Sequence, residues 1–470
     1  MAYHVKELGA VGDGITDDSA AFIEAIRRCE QDGGGTVRVS AGRYLVHPLR
    51  LCSHLRLHLE GGATLLLSDD FNVFPIAYTR WAGFMCHALQ PGLFGDGLEN
   101  VAITGQGVID GQGAAWWEYY RQCFRFMQGQ GAAPPRYAFQ DELTQENRAV
   151  DVGGAVWDEW DSGFLRPVLL QFKDCRRVLL EGVTLRNSPF WNTQILFCED
   201  VTVHNARFEN PHDAPNGDGL DIDSSCRVRI SNCSFNVGDD CLCLKSGIDA
   251  CGRQVGRPTE DVVITNCTMY KGHGGVVLGS DTAAGIRNVV ISNCVFNGTD
   301  RGFRIKSRRG RGGTVEDIRV QNVVMTDVVC PVVMNLYYFC GVTKDRAKDI
   351  ADPNAFPVGE GTPHIRNITL QGVTARRASS AAGVLIGLPE APLADITLSD
   401  VRIDTVDTQE PSKAAMSFQC SPTSGAGLMG RHLRRLTLRN VHITPAVGPA
   451  LDLRDDVDTK SEFLRFSRIG

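Results

Sequence analysis

Asn216-Gly217-Asp218, Gly238-Asp239-Asp240, Gly272-His273-Gly274 and Arg304-Ile305-Lys306 follow one another through the middle of the chain, each beside a short β-like segment. Together they offer three carboxylates, one imidazole and two permanent positive charges. Carboxylates can supply both a proton donor and a proton acceptor, while a guanidinium and an ammonium can hold an anionic group. The set suits acid–base cleavage of a sugar polymer whose rings carry carboxylates. Any one of these residues after a strand would be an ordinary solvated turn. Only a fold that brings them to one face makes them a site.

A repeated phrase predicts such a fold. Val228–Phe235 reads VRISNCSF, Val262–Met269 reads VVITNCTM and Val289–Phe296 reads VVISNCVF. Looser copies start at Val101, Val178, Val201, Ile318, Ile368, Ile396 and Leu436. Each alternates apolar with polar residues, bends at Asn, Gly or Asp, and resumes on an apolar residue. Alternation marks a strand with one buried face, and Asn or Gly tolerates the left-handed backbone of a sharp bend. The copies lie mostly about 23 to 34 residues apart, the spacing of stacked solenoid coils. A single coil cannot bury its own inner face, so the coils must stack. The expected architecture is all-β, a right-handed parallel β-helix. Equivalent positions of neighbouring coils then lie about 4.8 Å apart. Asp218 follows the phrase ending at Phe208, Asp239 and Asp240 the one ending at Phe235, His273 the one ending at Met269, and Arg304 and Lys306 the one ending at Phe296. Four consecutive coils therefore carry the polar groups at a similar offset, and alternation turns Ile305 inward between Arg304 and Lys306.

One domain is expected over 1–470, with an N-terminal cap and first coil in 1–60, main coils in 166–445 and a C-terminal tail in 446–470. Asp17-Asp18-Ser19 ahead of Phe22, Ile23, Ile26 and Cys29, with Gly33-Gly34-Gly35 behind, predicts a capping helix. Two stretches break the rhythm. Residues 112–165 hold Trp116, Trp117, Tyr119, Tyr120, Trp157 and Trp160, and 331–363 hold Tyr337, Tyr338 and Phe339 before a charged run. Long insertions of this kind build binding walls or packing flaps. Arg308, Arg309 and Arg311 read as a solvated turn.

The net charge of −7 over 470 residues gives no field that would draw in an anion, so attraction must be local and nucleic acid is not an expected partner. No segment approaches the roughly 18 apolar residues of a membrane span. The N-terminus lacks the apolar stretch and small-residue cleavage site of a leader. Of sixteen cysteines, Cys233, Cys267 and Cys294 occupy one slot of the repeat, where cysteine serves as a small buried hydrophobe. Cys241 and Cys243 lack the companions a zinc site needs. Reduced thiols and a cytoplasmic address are expected, with neither metal nor cofactor.

The four motifs in order resemble those of glycoside hydrolase family 28, the polygalacturonases and their relatives, most like a bacterial exo-acting member. That family's pattern is Asn-x-Asp, Asp-Asp, Gly-His-Gly and Arg-Ile-Lys on a parallel β-helix of the pectate-lyase-like kind. Asn187–Trp191, Lys245-Ser246-Gly247 and the opening Gly9–Gly14 belong to the same resemblance, which runs from near residue 6 to about 445. Gly217 stands where Thr is commonest. The resemblance implies inverting hydrolysis of α-1,4-linked galacturonate in pectic oligo- or polysaccharides. Inversion needs an acid and a base far enough apart to admit water, about 6.5–9.5 Å. Asp239 is assigned as the acid, with Asp218 and Asp240 holding and activating water. His273 is to hydrogen-bond substrate or tune the acid. Arg304 and Lys306 are to pair with the uronate carboxylate, Tyr338 is a candidate platform for a sugar ring, and Asn216 is to orient Asp218 or a hydroxyl. A hydrolase of rhamnogalacturonan or another decorated pectin, a calcium-dependent lyase using Asp218, Asp221 and Asp223, and a non-catalytic pectin-binding β-helix are the rivals.

Overall fold

Alternating phrases of this kind pair side by side, and they do so in register. In the computed structural model, which describes residues 1–148, 165–454, 457–462 and 464–466, Val178 stands opposite Val201 and Val201 opposite Val228. Further along, Val262, Val289, Ile318, Ile368, Ile396 and Leu436 form one parallel column. The bend residues carry the left-handed backbone expected of them, with positive φ at Asn205, Asn232, Asn266, Asn293, Asn322, Asp400 and Asn440. A second left-handed corner lies earlier in each coil, at Arg177, Asp200, Arg227, Asp261, Asn288 and Asp317. The chain is an all-β, right-handed parallel β-helix.

The chain groups into two compact units, Met1–Asp239 and Asp240–Gly470. In the first, Leu49–Arg50, Leu93–Asp96, Leu170–Lys173, Thr193–Leu196 and Leu220–Asp223 stack as a parallel floor. Its interior holds Phe208 and Phe235, whose rings stack at 4.8 Å. The helix Ser19–Gln31 buries Phe22, Ala25, Ile26 and Cys29 as a cap. Asp18 does not cap that helix. Its carboxylate accepts from the amides of Val11 and Gly12 at 2.6 and 3.1 Å, and Asp17 accepts from the Ser19 amide instead.

In the second unit the floor consists of Asp240–Lys245, Gly274–Gly279, Arg301–Lys306, Cys330–Asn335, Ala381–Ile386, Ala426–Arg431 and Leu451–Leu453. Inward residues such as Leu242, Val276, Phe303 and Ile305 are fully buried, each supplying about 1.5–3 kcal/mol of hydrophobic stabilisation. The segment expected as a C-terminal tail instead continues the ladder. Leu451–Leu453 and Val457–Glu462 both pair parallel to the preceding coil.

The described part of the first insertion, residues 112–148, carries two helices, Ala114–Met127 and Ala138–Asn147. Its buried aromatic residues, Trp116, Trp117 and Tyr119, serve packing. Trp116 stacks on Phe71 at 3.8 Å, and Trp117 donates its indole N–H to the Ser188 carbonyl at 2.9 Å. Trp157 and Trp160 lie outside the described residues. Among the described residues no helix is long and apolar enough to cross a membrane.

Candidate active site

Asp240 opens its floor strand, and the next two rungs bring cations to it. Register sets Asp240 opposite Gly274, Val277 opposite Arg304 and Gly279 opposite Lys306. Lys306 Nζ lies 2.6 Å from Asp240 Oδ2, and Arg304 Nη1 lies 3.4 Å from Oδ1. All three side chains are buried. Glycine is required between them, since a Cβ on Gly274 would stand 2.3 Å from Val277 Cγ2 and 3.1 Å from Asp240 Oδ1. Burial alone would push the Asp240 carboxyl up. The charges of Lys306, Arg304 and Lys245 outweigh it and hold the group well below the usual carboxylate range. Burial likewise opposes the Lys306 ammonium, yet Asp240 raises its pKa above the ordinary lysine value. Asp240 is thus held as a carboxylate.

Tyr338 packs over both cations, its ring centroid 5.6 Å from the Arg304 guanidinium and 5.4 Å from the Lys306 ammonium. The ring is only 6% exposed, so it is a wall of the cation pair more than an open platform. His273 is half-buried immediately before the Gly274–Gly279 strand. Asp240, Arg304, Lys306 and Tyr338 are therefore gathered within the second unit.

In the first unit, Asp218 is buried just ahead of the Leu220–Asp223 strand, and its carbonyl accepts from the Asn192 amide at 2.9 Å. Asn216, with φ of 53°, is fixed by a residue that the sequence motifs do not reveal. Arg166 Nη2 donates to Asn216 Oδ1 at 2.7 Å, and Nη1 donates to the Pro189 and Pro215 carbonyls at 2.8 and 2.7 Å. The Arg166 guanidinium lies 4.2 Å from the Tyr120 ring centroid and 5.0 Å from that of Phe190. Burial lowers its pKa to about 10, against the opposing influence of Tyr120 and Asp218. Because Asn216 Oδ1 is taken, its amide presents N–H donors. The sequence signal for Arg166 is a single charge inside the apolar run Phe164–Leu170. Gly217 also has a local reason: a Cβ there would meet Ala214 Cβ and its carbonyl oxygen at 3.1 Å, leaving a threonine little room. Asp239, half-buried, is the last residue of this unit and is bonded directly to Asp240.

A hairpin absent from the sequence reading covers the outer face of the first unit's floor. Ile76–Trp81 and Phe84–Leu89 pair antiparallel. From it Thr79 donates to Gln171 at 2.6 Å, Gln171 to Gln194 at 2.6 Å and Gln194 to Asp223 at 3.2 Å. Arg80, 1% exposed, reaches Asp223 Oδ1 at 2.6 Å and Ser224 Oγ at 2.8 Å. Asp223 is thereby committed to an arginine, which leaves a poor ligand for the calcium of the lyase rival.

The basic segment after Lys306 is not a solvated turn. Arg308, Arg309 and Arg311 are all under 9% exposed. Arg308 donates to the carbonyls of Cys340 and Gly341, and Arg309 to those of Asp349, Asp352 and Asn354 and to the Glu390 carboxylate. Arg311 pairs with Asp249 at 2.6 Å. Long insertions carry many carbonyls without strand partners, and buried guanidiniums satisfy them.

A parallel β-helix that buries an ionised aspartate among cations on its floor is a scaffold for cleaving carbohydrate by acid–base chemistry. The chain belongs to glycosyl hydrolases family 28, whose family model matches residues 148–421. A probable polygalacturonase of Vitis vinifera is 30% identical over 407 residues, covering 84% of this chain and 73% of that protein. An exo-poly-alpha-D-galacturonosidase of Dickeya chrysanthemi is 29% identical over 341 residues, or 69% of this chain and 55% of the relative. The chain thus spans from about half to about three quarters of the length of these two relatives. The crystal structure of a hyperthermoactive exopolygalacturonase from Thermotoga maritima matches with a TM-score of 0.73 and 28% identity, covering 94% of this chain and 91% of that one.

Proposed function

We propose that the protein is an exo-acting, inverting hydrolase of α-1,4-linked galacturonate that releases galacturonate from pectic oligosaccharides. The observation that carries the reading is the buried Asp240–Lys306–Arg304 group, where two cations surround one carboxylate at 2.6 and 3.4 Å. That group is a base with positive charge to spare for an anionic ring. Asp239 donates the proton to the leaving oxygen, while Asp240 and Asp218 hold and deprotonate the attacking water. Arg304 and Lys306 meet the uronate carboxylate, His273 hydrogen-bonds the substrate, and Asn216, held by Arg166, offers its amide N–H to a hydroxyl. Hydrolysis of galacturonate is also what the named activities of the relatives above support. The covered floor of the first unit supports exo attack, because a sugar chain cannot lie along a floor occupied by a hairpin. A reducing, cytoplasmic compartment belongs to the same proposal: the described cysteines form no disulfide, and most of them are buried.

The test is product analysis on tri- and tetragalacturonate in the presence of EDTA, following absorbance at 235 nm and the anomeric proton signals. Galacturonate from the first time point, matched one for one by the oligomer one residue shorter, of inverted configuration and without new absorbance, is the expected result. Digalacturonate appearing from tetragalacturonate ahead of trigalacturonate would refute exo attack, and absorbance at 235 nm would show elimination. No cleavage would turn attention to decorated pectic fragments.

A further inference from the structure

Beyond the cation pair, the second unit carries an aromatic strip that runs from the buried Tyr338 through the half-buried Phe339 to the exposed Phe418. Tyr338 and Phe339 lie with their rings nearly parallel, 7° apart with centroids at 6.5 Å. Phe418 meets Phe339 edge-on at 5.8 Å and is 39% exposed. The exposed Lys413 ammonium sits 5.0 Å from the centroid of the Phe339 ring. A strip therefore runs Arg304 and Lys306, Tyr338, Phe339, then Lys413 and Phe418, with cations at both ends.

The segment presenting Lys413 and Phe418 is held along its length. Arg301 donates to the Lys413 and Ala414 carbonyls at 2.6 and 3.1 Å, and Ser380 to that of Ser412 at 2.7 Å. Asn335, at the end of a floor strand, donates to the Met416 carbonyl at 3.2 Å. Ser417 bridges to Tyr338, and the Phe418 amide donates to the Tyr337 carbonyl at 3.0 Å. Fraying does not account for an exposed ring anchored this firmly. Arg301 is itself buried and also pairs with Asp300 at 3.2 Å, so the guanidinium that holds this segment is fixed in turn.

We propose that Phe339, Phe418 and Lys413 form a second uronate subsite, reading the sugar beyond the one held by Arg304 and Lys306 on the side away from the cleaved bond, which digalacturonate does not reach; this rests on the galacturonan reading above. A pyranose ring offers an apolar C–H face that packs on aromatic rings, and its carboxylate would leave Lys413 paired with an anion. The ring under the ammonium keeps the cation in place before substrate arrives.

The test is kcat/KM of the full chain on di-, tri- and tetragalacturonate for wild type, Phe418→Ala, Lys413→Met and Lys413→Arg, with thermal unfolding to confirm folding. The expected result is that Phe418→Ala and Lys413→Met each lower the ratio of tetra- to digalacturonate kcat/KM about tenfold, mainly through KM, the loss of one good contact. Lys413→Arg should restore most of that ratio. A wild-type ratio in both variants, or an equal loss on every length, would overturn the subsite while leaving the catalytic reading intact. Failure of the wild-type protein to cleave any of the three would instead overturn the galacturonan reading and this subsite with it.

Discussion

Asp240 has no freedom to act as an acid, because its carboxylate faces Lys306 at 2.6 Å and Arg304 at 3.4 Å in a buried setting. Removing its charge should separate two effects. Asp240→Asn should lower kcat by about 10²–10⁴, the usual worth of a positioned base. It should also destabilise the fold by about 3–5 kcal/mol at pH 7, since Lys306 and Arg304 lose their counter-charge. The sign of the pH dependence follows from the depressed carboxyl. Its stabilisation is present above the ordinary aspartate pKa of about 3.9 and is lost only as pH falls through the lower native value. The melting-temperature difference between wild type and Asp240→Asn should therefore hold steady from pH 7 to pH 5 and narrow below pH 4. A difference already shrinking near pH 6 would mean that Asp240 titrates there and shares the proton-donor role given to Asp239.

At the scale of elements, the hairpin decides whether the floor of the first unit is open. Its ends meet, the Gln90 amide donating to the Pro75 carbonyl at 2.7 Å, so Ile76–Leu89 can be replaced by a short glycine link. The shortened protein should release digalacturonate from tetragalacturonate where the intact one releases galacturonate and trigalacturonate, as chromatography of early time points would show. Galacturonate and trigalacturonate without digalacturonate from both would remove the hairpin from the account of exo attack. This element was hard to read because its turn, Ala82-Gly83, takes the left-handed backbone with an alanine, which carries no hairpin signature. The strand phrases were legible for the opposite reason. Alternation and an Asn or Gly bend recur in each, and the register Val262–Val289–Ile318 follows directly. Arg308, Arg309 and Arg311 misread as solvated because sequence shows their charge and hides the insertion carbonyls they satisfy. The motif residues stood out by type and offset, whereas Arg166 belongs to the site only through its bonds to Asn216 and the two proline carbonyls.

For the whole molecule the question is how a chain of net charge −7 captures a polyanion. Long-range repulsion and short-range attraction respond differently to salt. The Debye length falls from about 30 Å at 0.01 M to about 10 Å at 0.1 M, which removes most of the repulsion felt during approach. Lys306 and Arg304, 7% and 2% exposed, are screened far less. Raising salt over that range should therefore increase kcat/KM on trigalacturonate, measured well below KM, by roughly two- to threefold. Arg304→Gln should be slower at every salt concentration yet show the same upward slope, because the slope reports the net charge and the offset reports the site. A steep fall with salt in the wild-type protein would mean that exposed cations steer the substrate, and the buried pair would then act only after capture.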